Sequence, residues 1–153
     1  MKLKTHIQKL DLNQEERLSR VLFLIQQNTR RIEEDLIIKR ELNISHRELI
    51  YIVFLKDCQG MNMMDICDVM ALSKGAFSKA VKALVTKGIV KKKRSKIDTR
   101  TSTLLLTKEG ERAYGVYNEA RQIIHSEIIS KIFNEKEVEN LYEIADKFIK
   151  SEK

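Results

Sequence analysis

Hydrophobic residues recur at intervals of three and four over most of the chain, which predicts a protein built mainly of helices. The first run extends to about Arg40, and Asn13 and Glu16 precede it as an N-cap with a reciprocal acid. Its apolar seam is formed by Leu18, Leu22, Ile25, Thr29, Ile32 and Leu36. A helix of this length extends beyond what a small core can cover, so we expect it to contact a second chain.

A second helix is predicted after Ser45. Ser45 and Glu48 are spaced for a capping box, and Ile44 and Leu49 occupy the positions of a hydrophobic staple. The helix is apolar on most sides, which predicts that it forms the buried centre of the domain. A break at residues 57–60 ends it.

A short helix and a longer basic helix follow. Asn62 opens the short helix, which runs to about Met70, and a turn leads to Ser73 as the next N-cap. The second helix has one apolar stripe, formed by Ala76, Phe77, Ala80, Val81 and Leu84, and ends before Gly88. Its opposite side, called the basic arc below, consists of Lys74, Gly75, Ser78, Lys79, Lys82 and Thr86. Short helix, tight turn and basic helix form a helix-turn-helix.

Strand-like patterns come next, at residues 89–94 and 101–106, with a short polar tip between them. A helix followed directly by a basic hairpin is the winged-helix arrangement. Beyond the hairpin, Thr107 caps a long helix, and Asn134 with Glu137 repeats the cap signal for a last one. The stripes of these two helices offer more apolar surface than one small domain can bury. The predicted fold is therefore mainly α with a small β-hairpin wing (α+β).

Charge concentrates in the same region. Residues 70–96 contain nine lysines and arginines and no Asp or Glu, whereas the whole chain carries +7, so the remainder sums to about −2. An ordinary solvated helix face would mix in Glu to form ion pairs with Lys. A localised cationic surface indicates a polyanionic partner, and a small, polar, cationic helix face suits the major groove of DNA.

The block from Ser73 to Gly110 resembles the MarR family of bacterial winged-helix regulators. The likeness rests on the capped basic helix, its terminal glycine, the basic strand, Asp98-x-Arg100, and Leu106-Thr107 with Gly110 after it. It implies that residues 73–82 form the recognition helix, that Arg100 enters the minor groove from the wing tip, and that Asp98 braces the wing. The DNA-binding residues expected are Ser73, Lys74, Gly75, Ser78, Lys79, Lys82, Lys92, Arg94, Lys96, Asp98 and Arg100. Lys79 stands where many members place Arg, and an ammonium cannot make the two-bond fork to guanine.

The sequence gives little support to other classes of function. Cys58 and Cys67 lie in or beside apolar stretches, which favours packing over a disulfide or a redox role. The three histidines fall in different segments without metal-ligand spacing, and no glycine-rich phosphate loop occurs, so we expect no metal, no cofactor and no enzyme. The absence of a long apolar run or signal-like N-terminus predicts a cytoplasmic protein without membrane contact.

Two hypotheses of function remain. The first is a sequence-specific regulator, a repressor that binds double-stranded DNA at a pseudo-palindromic operator as a homodimer and is released by a small-molecule effector. Residues 45–107 would bind DNA, while residues 1–44 and 108–153 would form a helical dimerisation region. The alternative is a winged-helix module that docks a protein or RNA partner through its basic face. By resemblance the effector binds near the second helix, where Tyr51 and Phe54 could line a crevice, although the sequence favours plain core packing for both aromatics.

Overall fold

The computed structural model describes residues 12–59, 61, 63–94 and 102–151, and all structural statements below concern these residues. The helices are α1 Gln14–Lys39, α2 His46–Asp57, α3 Met63–Val69, α4 Lys74–Thr86, α5 Lys108–Ile124, α6 Ser130–Ile132 and α7 Glu135–Ser151, and the strands are β1 Val90–Arg94 and β2 Ser102–Leu106. A π-helical turn, His125–Ile129, joins α5 to α6. The predicted class, helical with one hairpin, is confirmed.

The predicted helix starts are formed by the predicted side chains. Asn13 with Glu16 and Ser45 with Glu48 make complete capping boxes at α1 and α2. Ser73 and Thr107 accept the N-cap hydrogen bonds of α4 and α5. Ahead of α7, the Asn134 side chain accepts from the Glu137 amide at 3.0 Å, and the Glu137 carboxylate accepts from the Asn134 amide at 2.9 Å. Asn62, the predicted cap of α3, lies outside the described residues.

The core lies where α1, α2, α4 and α5 meet the hairpin. Phe77 and Leu84 of α4 and Ile52 of α2 are fully enclosed, with Ala113 and Ala120 of α5 against the same cluster. Ala76, assigned from sequence to the apolar stripe of α4, is exposed instead. The stripe starts at Phe77 because Ala76 lies 100° away from it around the helix.

The two strands pair in an antiparallel ladder. Val90 lies opposite Leu106 at the base of the hairpin, and Arg94 lies opposite Ser102 at the far end of the ladder. Both Val90 and Leu106 are buried, whereas Lys91, Lys92 and Lys93 are exposed. The first predicted strand starts one residue too early, because Ile89 precedes the ladder, whereas the predicted start of the second strand at Thr101 lies outside the described residues.

Three described turns carry backbone conformations that favour glycine, one of them at Glu41 with a φ of 52°. Gly88, just after α4, has a φ of 71°, as expected for a helix that ends in a left-handed residue. Ala71, in the turn of the helix-turn-helix, has a φ of 49° although it carries a side chain. A left-handed residue other than glycine costs roughly 1–2 kcal/mol, so this tight turn is held by its surroundings.

Thr107 joins α4, the hairpin and α5. Its hydroxyl donates to the Gly88 carbonyl at 2.6 Å and accepts from the Gly110 amide at 3.1 Å. Its own amide donates to the Ile89 carbonyl at 3.0 Å. The Leu106-Thr107 and Gly110 portion of the sequence motif therefore fixes the base of the wing against the end of α4.

No helix in the described part of the chain is long and apolar enough to cross a membrane.

Candidate nucleic-acid interface

The basic arc of α4 is fully open to solvent. All six of its members are exposed, while Phe77, Val81 and Leu84 on the other side are buried. The buried side anchors the helix, so the lysine side chains project from a fixed base. A rigid helix that presents ammonium groups and small side chains can approach phosphates and base edges together.

Individual members of the basic arc differ in what they can offer. The hydroxyl of Ser73, just before the arc, accepts the Ala76 amide at 3.3 Å, so this serine serves first as the helix cap. Gly75 has no neighbour within 4 Å of where a Cβ would lie, which leaves room for a close approach by a partner. Lys74, Lys79 and Lys82 make no ion pair within the described residues.

The wing contributes to the same basic region. Lys92 is exposed on β1, which contacts α4 directly, and Arg94 closes that strand. The remaining predicted wing residues, Lys96, Asp98 and Arg100, lie outside the described residues. The structure therefore brings together the α4 residues and the start of the wing.

A partly exposed ion pair ties the end of α4 to the start of α2. The Lys87 ammonium, at the C-cap of α4, donates to Glu48 Oε2 at 2.8 Å, and the same carboxylate accepts from the Ser45 amide at 2.7 Å. Burial alone would raise the pKa of Glu48, but the hydrogen bonds from Lys87 and Ser45 outweigh it and hold the pKa below its ordinary value. This strut fixes α4 relative to α2.

Because the Lys87–Glu48 contact includes a carboxylate, the free energy of unfolding is expected to depend on pH. The pKa of Glu48 is lower in the folded protein than in the unfolded chain. The Glu48 carboxylate therefore makes its full contribution to the free energy of unfolding at pH values above the ordinary carboxyl range. That contribution declines as the pH falls through the folded-state pKa. Glu48→Gln is expected to reduce the free energy of unfolding by on the order of 1 kcal/mol at pH 7. Urea titrations at pH 7 and below pH 4 would show the difference from the parent protein shrinking in acid.

Glu143→Gln is the matched control, since this α7 glutamate is exposed and makes no ion pair in the described part of the chain. It should leave the unfolding free energy unchanged at both pH values. An effect of Glu48→Gln that stayed constant with pH would show that the carboxylate charge has no part in the strut.

A second polar contact, not foreseen from sequence, lies nearby. Glu33 of α1 is buried, and its Oε2 lies 2.7 Å from Nε2 of His46, the first residue of α2. The signal was present in the sequence, because Glu33 is three and four residues before Leu36 and Ile37 and so shares their stripe. A carboxylate at a core position requires a partner, and the neighbouring α2 supplies one.

A crevice of about 310 Å³ opens beside this pair, between α1, α2 and α5. Its apolar wall is formed by Leu49, Ile50, Val53 and Phe54, and its polar groups are Glu33, Asp57 and Tyr117. Of the two aromatics expected in an effector crevice, Phe54 lines this one, whereas Tyr51 packs against the core cluster. The helix α2, predicted to form the buried centre of the domain, is therefore partly open on this side, with Ile50 41% exposed.

Apolar side chains also remain uncovered at both ends of the chain. On α1, Leu18, Leu22 and Phe23 are more than half exposed, and on α7 Phe148 and Ile149 are 66% and 69% exposed. A monomer rarely leaves apolar stripes of this length in water.

Cys67 is buried and Cys58 is half-buried. Burial and the nearby Asp57 charge raise the pKa of the Cys58 thiol, which keeps it protonated and poorly nucleophilic. This agrees with a packing role.

The arrangement of helix-turn-helix, basic second helix and hairpin defines a winged-helix fold. In a comparison with protein families, residues 36–115 match the family described as transcriptional regulator SarA/Rot. The chain belongs to this family of transcriptional regulators. No curated protein matches it in a sequence comparison.

Solved structures share the fold at low sequence identity. FabT of Streptococcus pneumoniae in complex with DNA has a TM-score of 0.74 and 22% identity, over 91% of this chain and 99% of that one. A MarR transcriptional regulator from Methanosarcina mazei Go1 has a TM-score of 0.68 and 17% identity, over 89% and 96%. The S. aureus MepR-DNA complex gives 0.65 and 17%, over 87% and 96%. The predicted family resemblance is confirmed.

Proposed function

We propose that this regulator is a repressor that binds a pseudo-palindromic DNA operator as a homodimer and is released when a small effector binds. Residues 45–107 form the DNA-binding region, and residues 1–44 and 108–153 form the dimerisation region. The observation that carries the proposal is the basic arc, an exposed and acid-free face on the second helix of a helix-turn-helix. FabT and MepR, which share the fold, are described in complex with DNA.

In this proposal α4 lies in the major groove. Lys79 and Ser78 face base edges from the middle of the basic arc, while Lys74 and Lys82 lie near phosphates on either side. Lys92 and Arg94 continue the positive surface along the wing. Lys96, Asp98 and Arg100 complete the wing tip by resemblance to the MarR family, with Arg100 in the minor groove.

A dimer supplies the partner for the exposed stripes of α1 and α7. Most of the large apolar side chains left in water, among them Leu22 and Phe148, belong to the two terminal helices. A two-fold dimer formed by these helices would place two copies of α4 on successive turns of one DNA face.

Salt titration and one substitution test the DNA-binding surface. If the dimer neutralises about six to ten phosphates, the logarithm of the affinity for DNA from the chain's own upstream region should fall against log salt with a slope of about −5 to −9. Lys79→Ala should weaken binding by about 1–3 kcal/mol with changed preference at one base pair of each half-site if Lys79 contacts a base. A gel-shift series measures both, and a uniform loss across sequences would assign Lys79 to phosphate instead.

Lys136→Ala is the control, because this lysine is exposed on α7, away from the basic arc. Both variants should keep the parent melting temperature. A slope near zero, or equal binding by Lys79→Ala and Lys136→Ala, would remove the basic arc from the interface. Tighter binding to RNA than to duplex DNA would point to the docking-module alternative.

A further inference from the structure

The helix α4 carries few side chains that can read bases. Residues 74–86 contain no Arg, Asn or Gln, the residue types that make two-bond contacts to guanine or adenine. Two hydroxyl groups are already bonded to the helix backbone. The Ser73 hydroxyl accepts from the Ala76 amide at 3.3 Å, and the Thr86 hydroxyl donates to a carbonyl one turn earlier at 3.0 Å. Base recognition by α4 therefore rests on single hydrogen bonds and on apolar contacts.

Ala76 places a methyl group beside the basic arc. The residue is exposed and lies three positions before Lys79, so the two side chains are neighbours on the helix surface. A Cβ added at Gly75 would meet nothing within 4 Å, which lets the backbone of the first turn approach a base edge closely. A close approach is what a side chain as short as alanine requires. The first two turns of α4 thus present a methyl group and an ammonium group side by side.

One base edge in the major groove carries the complementary pair of groups. Thymine presents its C5-methyl group next to the O4 acceptor, whereas guanine presents two acceptors, N7 and O6, and no methyl group. Adenine and cytosine each present an amino donor, and neither has a methyl group. The Lys79 ammonium is a donor only, so it is repelled by an amino group. The combination of a methyl group and a donor therefore matches thymine and no other base.

We propose that Ala76 and Lys79 together read one thymine in each half-site, Ala76 through the C5-methyl group and Lys79 through a hydrogen bond to O4. This inference rests on the proposed function, because it assigns a base to the helix that lies in the major groove. An ammonium alone can donate to thymine O4 or to either acceptor of guanine. The methyl contact supplies the missing discrimination, which makes Ala76 a specificity-determining residue.

Base analogues in a duplex operator separate the two contacts. The operator is selected by the full chain from a pool of random-sequence duplexes, and each thymine of a half-site is then replaced in turn. Deoxyuridine removes the methyl group and keeps O4, whereas 5-methylcytosine paired with guanine keeps the methyl group and replaces O4 by an amino donor. At one thymine, deoxyuridine should lower the affinity of the parent protein about fourfold, the value of one buried methyl group, and 5-methylcytosine should lower it further.

Two variants assign these effects to residues in gel-shift titrations. Ala76→Gly should bind the thymine and deoxyuridine duplexes equally, because it has no methyl group to make the contact. Lys79→Ala should keep the sensitivity to deoxyuridine and lose most of the sensitivity to the amino donor. Ala83→Gly is the matched control, since Ala83 is also exposed and lies seven residues, or about 10 Å, further along α4. It carries a similar helix-propensity cost and should respond to both analogues as the parent does.

The outcomes distinguish this base contact from DNA binding itself. Equal binding of thymine and deoxyuridine duplexes by the parent protein at every position would overturn the proposal and leave the proposed function standing. Sensitivity to deoxyuridine that persists in Ala76→Gly would place the methyl contact on another side chain, which also overturns it. A chain that enriches no sequence from the pool would contradict the proposed function and this contact together. The deoxyuridine test on the parent protein does not depend on the folding of any variant.

Discussion

Gly110→Ala is expected to destabilise the protein by about 3 kcal/mol, at the upper end of the range for overpacking. A Cβ at this position would lie well inside the contact distance of the Ile89 carbonyl oxygen and 3.1 Å from Leu106 Cβ. The carbonyl cannot withdraw easily, because it accepts from the Thr107 amide and lies 3.1 Å from the Thr107 hydroxyl. Either α5 moves away from the base of the wing or these bonds break, and urea unfolding measures the cost.

Gly115→Ala provides the control within the same helix. A Cβ there meets nothing within 4 Å, so the substitution should be neutral or stabilise by up to roughly 1 kcal/mol through helix propensity. If Gly110→Ala were as stable as Gly115→Ala, the close approach of α5 to Ile89 would be refuted. Because the clash is at the wing base, Gly110→Ala should also lose DNA affinity at temperatures where it remains folded.

Phe148→Glu is expected to convert the proposed dimer to a monomer and to lower the affinity for the proposed operator by about 100-fold or more. The phenyl ring is 66% exposed in the single chain, so its replacement leaves the protomer core intact, but a dimer would bury the new charge. A monomer binds one half-site and loses the gain in effective concentration that two linked sites provide. Sedimentation velocity and gel shift together measure the two effects.

Lys150→Glu is the matched control, two residues along and 200° around α7 from Phe148. It introduces the same side chain on the opposite face and should leave the dimer in place. A monomer from both variants would mean that net charge, not the apolar stripe, controls association. A dimer from both would place the interface elsewhere than α7.

Local signals were the most predictable part of the fold. The caps at Asn13, Ser45, Ser73 and Thr107 depend on residues three positions apart, and such local patterns can be recognised in a single sequence. The basic arc was predictable for the same reason, since helical periodicity alone separates it from Phe77 and Leu84.

Contacts between distant residues were not predictable in the same way. Glu48 and Lys87 are 39 residues apart, and the crevice joins α1 to Tyr117 of α5. Neither follows from periodicity, because both depend on the angles at which helices pack. The π-helical turn at His125–Ile129 was missed because the apolar pattern runs through it without a break, as was the left-handed Ala71, which carries none of the usual turn residues.

The uneven distribution of charge has a kinetic consequence. Residues 70–96, which include the exposed lysines of α4 and β1, carry nine positive charges and no acid, while the rest of the chain sums to about −2. In the field of DNA such a molecule experiences a torque as well as an attraction, so it turns its cationic end toward the duplex before the surfaces touch. Encounters with the wrong face are thereby made rarer, and a larger fraction of collisions begins with α4 already directed at the groove.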